Sequence, residues 1–317
     1  MWLLCVVKHR AYAARSTSTV LQSISWSHVA SPLADAINQR RKPHPHSIGT
    51  APMSTLIKRL MLFGILALAS IALSVQAREV AFLARKPTII LVHGAFADSS
   101  SWNGVASELV AHGYPVIAAA NPLRGVASDA AYLDALIASI DGPVVLVGHS
   151  YGGMVISNVT TAGHRIKALV YVAAFAPEIG ESAARLSTIA PGSTLAAALG
   201  PPVALPDGSN DLYIQQERYH QQFAADVPAG PAASPIFQRP VTDKALNEPS
   251  GPPAWASIPS WFILGSLDRN IPPEAMRFMA RRARSRHVVE IEGASHVVMI
   301  SHPHEVAKLI VEAAHSN

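Results

Sequence analysis

The chain has 317 residues, of which 50% are hydrophobic and 15% charged, a balance that supports a packed core and excludes a disordered polymer. Its formal charge is +4, but residues 1–77 hold eight basic and one acidic side chain. The body beyond them is therefore net −3, which argues against a nucleic-acid partner. Cys5 is the only cysteine, so there is no intrachain disulfide and no Cys-built zinc or iron–sulfur site.

Residues 1–52 are rich in Ser, Arg and His and show no sustained apolar period. They read as an unstructured extension or as sequence ahead of the true start at Met53; an organelle transit segment is the competing reading. From Met53 a basic start leads into the apolar run Leu60–Val75 and then Val75-Gln76-Ala77, with small residues where a signal peptidase cuts. As a helix the run is about 24 Å long, short of the roughly 30 Å hydrocarbon core. Residues 53–77 are accordingly expected to be a signal peptide cleaved near Ala77, leaving no stable membrane anchor and an exported, periplasmic or secreted product.

Residues 78–317 alternate strand and helix. Thr88–Val92, Val116–Ala119, Val144–Val147, Ala168–Val172, Trp261–Leu264 and Val288–Ile291 are nearly continuous apolar runs, as in parallel strands covered on both faces. Leu133, Leu136, Ile137 and Ile140 share one helical face, as do Val306, Leu309, Ile310 and Ala313. Trp102, Val105 and Leu109 suggest another helix, and Met276 with Met279 a fourth, started by Pro272 and Pro273. The expectation is an α/β fold, a mostly parallel sheet with helices on both faces. The alternation breaks between about 178 and 259, where one good helical stretch, Asp211–Phe223, stands among Pro and Gly. This reads as an inserted, mainly helical cap over the strand ends. Arg281, Arg282, Arg284 and Arg286 read as a solvated helix end.

The strand at 144 runs into Gly148-His149-Ser150-Tyr151-Gly152-Gly153 and a helical stretch from Met154 to about Thr161. This is G-x-S-x-G between strand and helix, the setting in which a serine on a strained turn projects its hydroxyl above the sheet. Serine is a weak nucleophile near neutral pH and needs a histidine to take its proton, with an acid to fix that histidine's tautomer. The order Ser, acid, His selects Asp268 in Gly265-Ser266-Leu267-Asp268-Arg269 and His296 in Gly293-Ala294-Ser295-His296. Glu178 is the alternative acid; His302 and His304 are the alternative histidines. An oxyanion hole requires two main-chain donors, assigned to Tyr151 and to Ala95 in His93-Gly94-Ala95-Phe96. His93 is expected to brace that loop by hydrogen bonds.

These motifs, with Ala254–Trp261 and Ala294–Pro303, resemble the α/β-hydrolase superfamily, and within it the cap-bearing carboxylesterase branch of plant methylesterases and small bacterial serine esterases. The resemblance spans residues 87–314. It implies two-step acyl transfer through Ser150, with a small-molecule ester as partner, no metal or organic cofactor, and a monomer or homodimer. The rings Tyr213, Tyr219, Phe223, Phe237 and Trp255 of the cap, with Phe96 and Trp102, suggest an apolar acyl or aryl pocket; Phe96, Trp102, Tyr213 and Trp255 are the expected substrate contacts. Lactonase, amidase, haloperoxidase-like or hydroxynitrile-lyase-like chemistry on the same triad are the alternatives, as is a non-catalytic ligand-binding protein. Related plant hydroxynitrile lyases carry a lysine after the histidine; Val297 stands there and argues against cyanohydrin cleavage.

Overall fold

The computed structural model describes residues 86–163, 165–230 and 233–316. The expected extension 1–52, the signal peptide 53–77 and Cys5 lie outside the described residues. All described residues belong to one compact unit, Met61–Asn317.

In chain order the elements are β1 (Thr88–Val92), α1 (Asn103–Ala111), β2 (Val116–Ala119), α2 (Val126–Ala138), β3 (Val144–His149), α3 (Gly152–Ser157) and β4 (Ile166–Val172). There follow α4 (Ala183–Leu186), α5 (Leu195–Ala198), β5 (Val203–Ala204), β6 (Asn210–Leu212), α6 (Gln216–Phe223), β7 (Val241–Thr242) and α7 (Asp243–Asn247). The chain closes with β8 (Ser260–Gly265), α8 (Pro273–Arg282), β9 (His287–Ile291), α9 (Val298–Ser301) and α10 (Pro303–His315).

Six strands form one parallel sheet in the order β2-β1-β3-β4-β8-β9. The residues of β3 and β8 are buried throughout, those of β1 and β4 nearly so, and β9 at the edge is largely exposed. That gradient is what apolar runs in the middle of a covered sheet, and mixed composition at its rim, require. The chain leaves β1 toward β2 and later returns on the other side of β1 as β3. The strand order therefore reverses between β1 and β3, and the loops after these two strands diverge above their carboxyl ends, where open α/β sheets bind ligands. Val92 at the end of β1 lies beside Gly148 of β3, which brings His93–Phe96 next to Ser150.

The insertion between β4 and β8 carries short helices, as expected, and also a three-stranded antiparallel sheet, β5-β6-β7, which the sequence did not announce. The helix expected from Asp211 begins only at Gln216, because Asp211 and Leu212 pair with Thr242 and Val241. Nor are the four arginines all solvated. Arg282 is half-buried, its guanidinium donating to both carboxylate oxygens of Glu181 at 2.8 and 2.7 Å and to the Ala176 carbonyl. Among the described residues no helix is long and apolar enough to cross a membrane.

Candidate active site

Ser150 sits between β3 and α3 with φ +53°, a left-handed backbone that costs a non-glycine residue about 1–2 kcal/mol. The surrounding glycines allow it. A Cβ on Gly148 would come within 2.6 Å of the Gly152 carbonyl, one on Gly152 within 2.4 Å of Val92 O, and one on Gly153 within 2.1 Å of Phe175 O. Main-chain bonds hold the turn: Ser150 N–H donates to Val172 O, and Ser150 O accepts from Gly153 and Phe175. α3 starts two residues ahead of the expected Met154 and ends at Ser157.

Asp268 and His296 come from the loops after β8 and β9. His296 Nδ1 lies 2.6 Å from Asp268 Oδ2, and both side chains are removed from solvent. Asp268 Oδ1 accepts from the main-chain N–H groups of Asn270 at 2.7 Å and Ile271 at 2.9 Å. With one oxygen saturated, the other is free only for the imidazole, so Nδ1 carries the proton and Nε2 is left as a base. Ser150 and His296 line one cavity of about 50 Å³. Ala95 and Tyr151 line it too, whereas the neighbouring Phe96 N–H is committed to the Arg239 carbonyl at 2.9 Å.

Two further histidines frame this arrangement, both neutral. His93 Nδ1–H donates to the Gly94 carbonyl at 2.9 Å and its Nε2 accepts from Asn121 N at 3.1 Å, while the Asn121 amide donates back to His93 O. Burial lowers the His93 pKa to about 4, so it braces the loop as expected rather than titrating near neutrality. His149 Nε2–H donates to the His296 carbonyl at 3.2 Å, and the two rings stand 4.8 Å apart. Burial first, then the proximity of His296, holds His149 well below the usual histidine range. An uncharged neighbour does not oppose positive charge on His296.

Of the four expected substrate contacts, only Phe96 lines the cavity. Trp102 is buried beneath it, packed edge-on against His149 at 6.4 Å. Tyr213 does not reach it, and Trp255 turns away to donate from Nε1 to Pro177 O at 2.8 Å, close to Arg282. Phe237 is 61% exposed. Tyr219 and Phe223 form the support instead: Tyr219 donates to Phe96 O at 2.9 Å, and the Phe223 ring lies 5.1 Å from that of His296. The apolar walls come from residues the sequence did not single out, Phe175, Ala183, Leu195, Leu246 and Ile271, with Asn270 as a polar member. Isolated apolar residues on the loops after β4 and β8 and on short insertion helices carry no signal separating a pocket wall from core.

The alternatives lie elsewhere. Glu178 donates its N–H to Glu181; His302 approaches Asp226 at 3.9 Å, and His304 faces Glu108 on the surface. No cluster of three His, Cys, Asp or Glu side chains among the described residues is arranged to hold a metal ion.

The sequence model of the alpha/beta hydrolase family matches residues 89–309. The chain is 26% identical over 272 residues to Esterase PIR7B of Oryza sativa subsp. japonica, covering 72% of this chain and 96% of that protein. It is 25% identical over 250 residues to Salicylic acid-binding protein 2 of Nicotiana tabacum, covering 71% and 96%. In fold it matches a pyrethroid hydrolase from Sphingobium faniae JZ-2 with a TM-score of 0.59 at 22% identity, over 72% of this chain and 97% of that one. The parallel sheet, the strained serine turn at its switch point and this family match together assign the chain to the alpha/beta hydrolase family.

Proposed function

We propose that the protein is a serine carboxylesterase acting on small to medium apolar or aryl esters. The observation that carries this reading is the meeting of Ser150 and the Asp268-bound His296 on one apolar cavity that Ala95 and Tyr151 also line. Ser150 Oγ attacks the ester carbonyl while His296 Nε2 takes its proton. The tetrahedral oxyanion is held by the N–H groups of Ala95 and Tyr151. His296 passes the proton to the departing alcohol; it then deprotonates a water that cleaves the acyl-enzyme, releasing the acid and restoring Ser150. Asp268 orients the ring and stabilises its cationic form. Val297, buried beside His296, brings no ammonium group to the cavity. The relative named as an esterase supports ester chemistry.

Hydrolysis of p-nitrophenyl esters from acetate to decanoate tests the reading. The wild-type chain should turn them over, and Ser150→Ala should lower kcat by roughly 10⁴- to 10⁶-fold. Turnover that survives in Ser150→Ala, or a serine-directed fluorophosphonate that fails to label the wild type, removes it. The export of the chain belongs to the same proposal: mass spectrometry of the mature protein should find its first residue at Arg78, and a product beginning at Met1 contradicts cleavage.

A further inference from the structure

Two cavities lie against the loop after β1. One is the catalytic cavity of about 50 Å³; the other, of about 20 Å³, is walled by Tyr219, Phe223 and Phe237 of the insertion and by Ile300 of α9. Phe96 is the one residue common to both linings. Ala95 before it lines only the first and Ala97 after it only the second, so the chain passes from one cavity to the other at Phe96. Phe237 is exposed, so the second cavity reaches the surface.

The rings mark the boundary. That of Phe96 stands edge-on to Phe223 with centroids 6.2 Å apart, and the Phe223 ring lies 5.1 Å from His296 and 5.0 Å from Tyr219. His296 belongs to the first cavity and Phe223 with Tyr219 to the second, which sets the Phe96 and Phe223 rings between them. The backbone at Phe96 is strained: its φ is +62°, a left-handed conformation that bulky residues rarely adopt. The insertion holds it there, since Phe96 N–H donates to Arg239 O and Phe96 O accepts from the Tyr219 hydroxyl, both at 2.9 Å. Glycine or asparagine would relieve that strain, so the aromatic side chain at this position calls for a use of its own.

Building on the ester-hydrolase reading, we propose that Phe96 is a specificity determinant: its ring shuts the catalytic cavity off from the second one and restricts the substrates to esters whose group on that side is short, acetyl to butyryl in length. The second cavity is a compartment for a longer hydrocarbon group, joined to the first once the ring is removed. Its polar members do not oppose such a group, because they are bonded to one another: Ser100 Oγ donates to Asp98 Oδ1 at 2.5 Å and Ser101 Oγ to Asp98 O at 2.6 Å.

Two ester series test this with the full chain: p-nitrophenyl acetate against octanoate, and ethyl against octyl acetate followed by acid release. The quantity read is the long-to-short ratio of kcat/KM within a series. Both members use Ser150, Asp268 and His296 alike, so damage to those groups, or loss of folded protein, divides out. Phe96→Ala should raise the ratio in at least one series by about tenfold, as burial of two further methylene groups would. Phe96→Leu, which keeps more of the packing against Phe223, should raise it less. Shortening the side chain also enlarges the first cavity by itself, so the second is then filled from its far wall. Ile300→Trp, outside the catalytic cavity, should bring the Phe96→Ala ratio back toward the wild-type value and leave the wild-type ratio where it was.

An unchanged ratio in both Phe96 variants overturns the proposal, as does a gain that survives Ile300→Trp or a wild-type ratio that Ile300→Trp lowers. Calorimetric binding of the acetate and octanoate esters to the Ser150→Ala chain separates this from failure of the esterase reading. Tighter octanoate binding on adding Phe96→Ala, reversed by Ile300→Trp, upholds the partition even where the wild type hydrolyses nothing, and unaltered binding refutes it.

Discussion

Asp268 has no freedom to adapt to a changed partner, because two main-chain N–H groups fix one of its oxygens. In Asp268→Asn the carbonyl oxygen must stay with those donors, which turns the new NH₂ toward His296 Nδ1. The imidazole then moves its proton to Nε2 and can no longer accept one from Ser150. We expect kcat to fall by about 10⁴-fold with KM little altered; steady-state kinetics on p-nitrophenyl butyrate reads this, and a loss below tenfold would contradict the assigned tautomer. His93 gives a prediction of a different kind. Its folded pKa of about 4 lies below the ordinary 6.5, so below pH 6.5 the unfolded chain binds a proton that the folded chain refuses. Stability is complete above pH 6.5 and lost as pH falls toward 4, by about 3 kcal/mol from this group, and His149 acts in the same direction. Thermal melts at pH 7, 6, 5 and 4 should show the decline, and His93→Gln should flatten it. An equal slope in both proteins would mean that His93 is already protonated when folded. Ser150, Asp268 and His296 were legible in the sequence because each follows an apolar strand within a short motif. Asn270 of the cavity wall was not, because its tie to the insertion comes from Gln222, 48 residues away.

The core strands were read within two residues, since strands buried on both faces leave unbroken apolar runs, whereas the helix after Ser150 ends at Ser157 and not near Thr161. The insertion was read far less well. Strands of two or three residues have no period to detect, and those of β5-β6-β7 owe their existence to partners distant in sequence. Trp102 and Trp255 were legible as apolar side chains, but the sequence cannot tell packing beneath a site from lining it. The insertion also completes the body: Glu248 accepts from the free N–H groups of Val126 at 2.7 Å and Ala127 at 3.2 Å, capping α2 from outside. Arg124, just ahead of that helix, pairs with Asp211 of β6. Within α2, buried Asp129 accepts from the Tyr151 hydroxyl at 3.0 Å, so the docked helix bears on the turn after Ser150. Glu248→Ala should therefore cost about 1 kcal/mol in urea unfolding. Because Leu246 in the same segment lines the cavity, it should also raise KM more than it lowers kcat. A kcat loss with unchanged KM would place the effect at the serine turn instead.

At the scale of the whole molecule the insertion is fastened over the strand ends at several points. Tyr219 is bonded to Phe96 O, Asp226 to Ser295 beside His296, Trp255 to Pro177 O, and Arg282 to Glu181. Beneath these fastenings the cavity is about 50 Å³, far below the roughly 300 Å³ and upward that organic ligands ordinarily occupy. An acetyl ester asks little of such a space, whereas an octanoyl chain requires the insertion to yield. Arg282 is the fastening best suited to a test, since it touches neither the cavity nor the motifs around Ser150. Arg282→Met keeps the apolar stem beside Trp255 and Phe278 but removes the paired bonds to Glu181, at a cost of about 2 kcal/mol in stability. If closure limits entry, this variant should show a higher ratio of octanoate to acetate kcat/KM than the wild type, together with a lower melting temperature. If the melting temperature falls and the ratio does not move, the insertion is a fixed wall, and access must come through rearrangement of the short helices α4 and α5 that line the cavity.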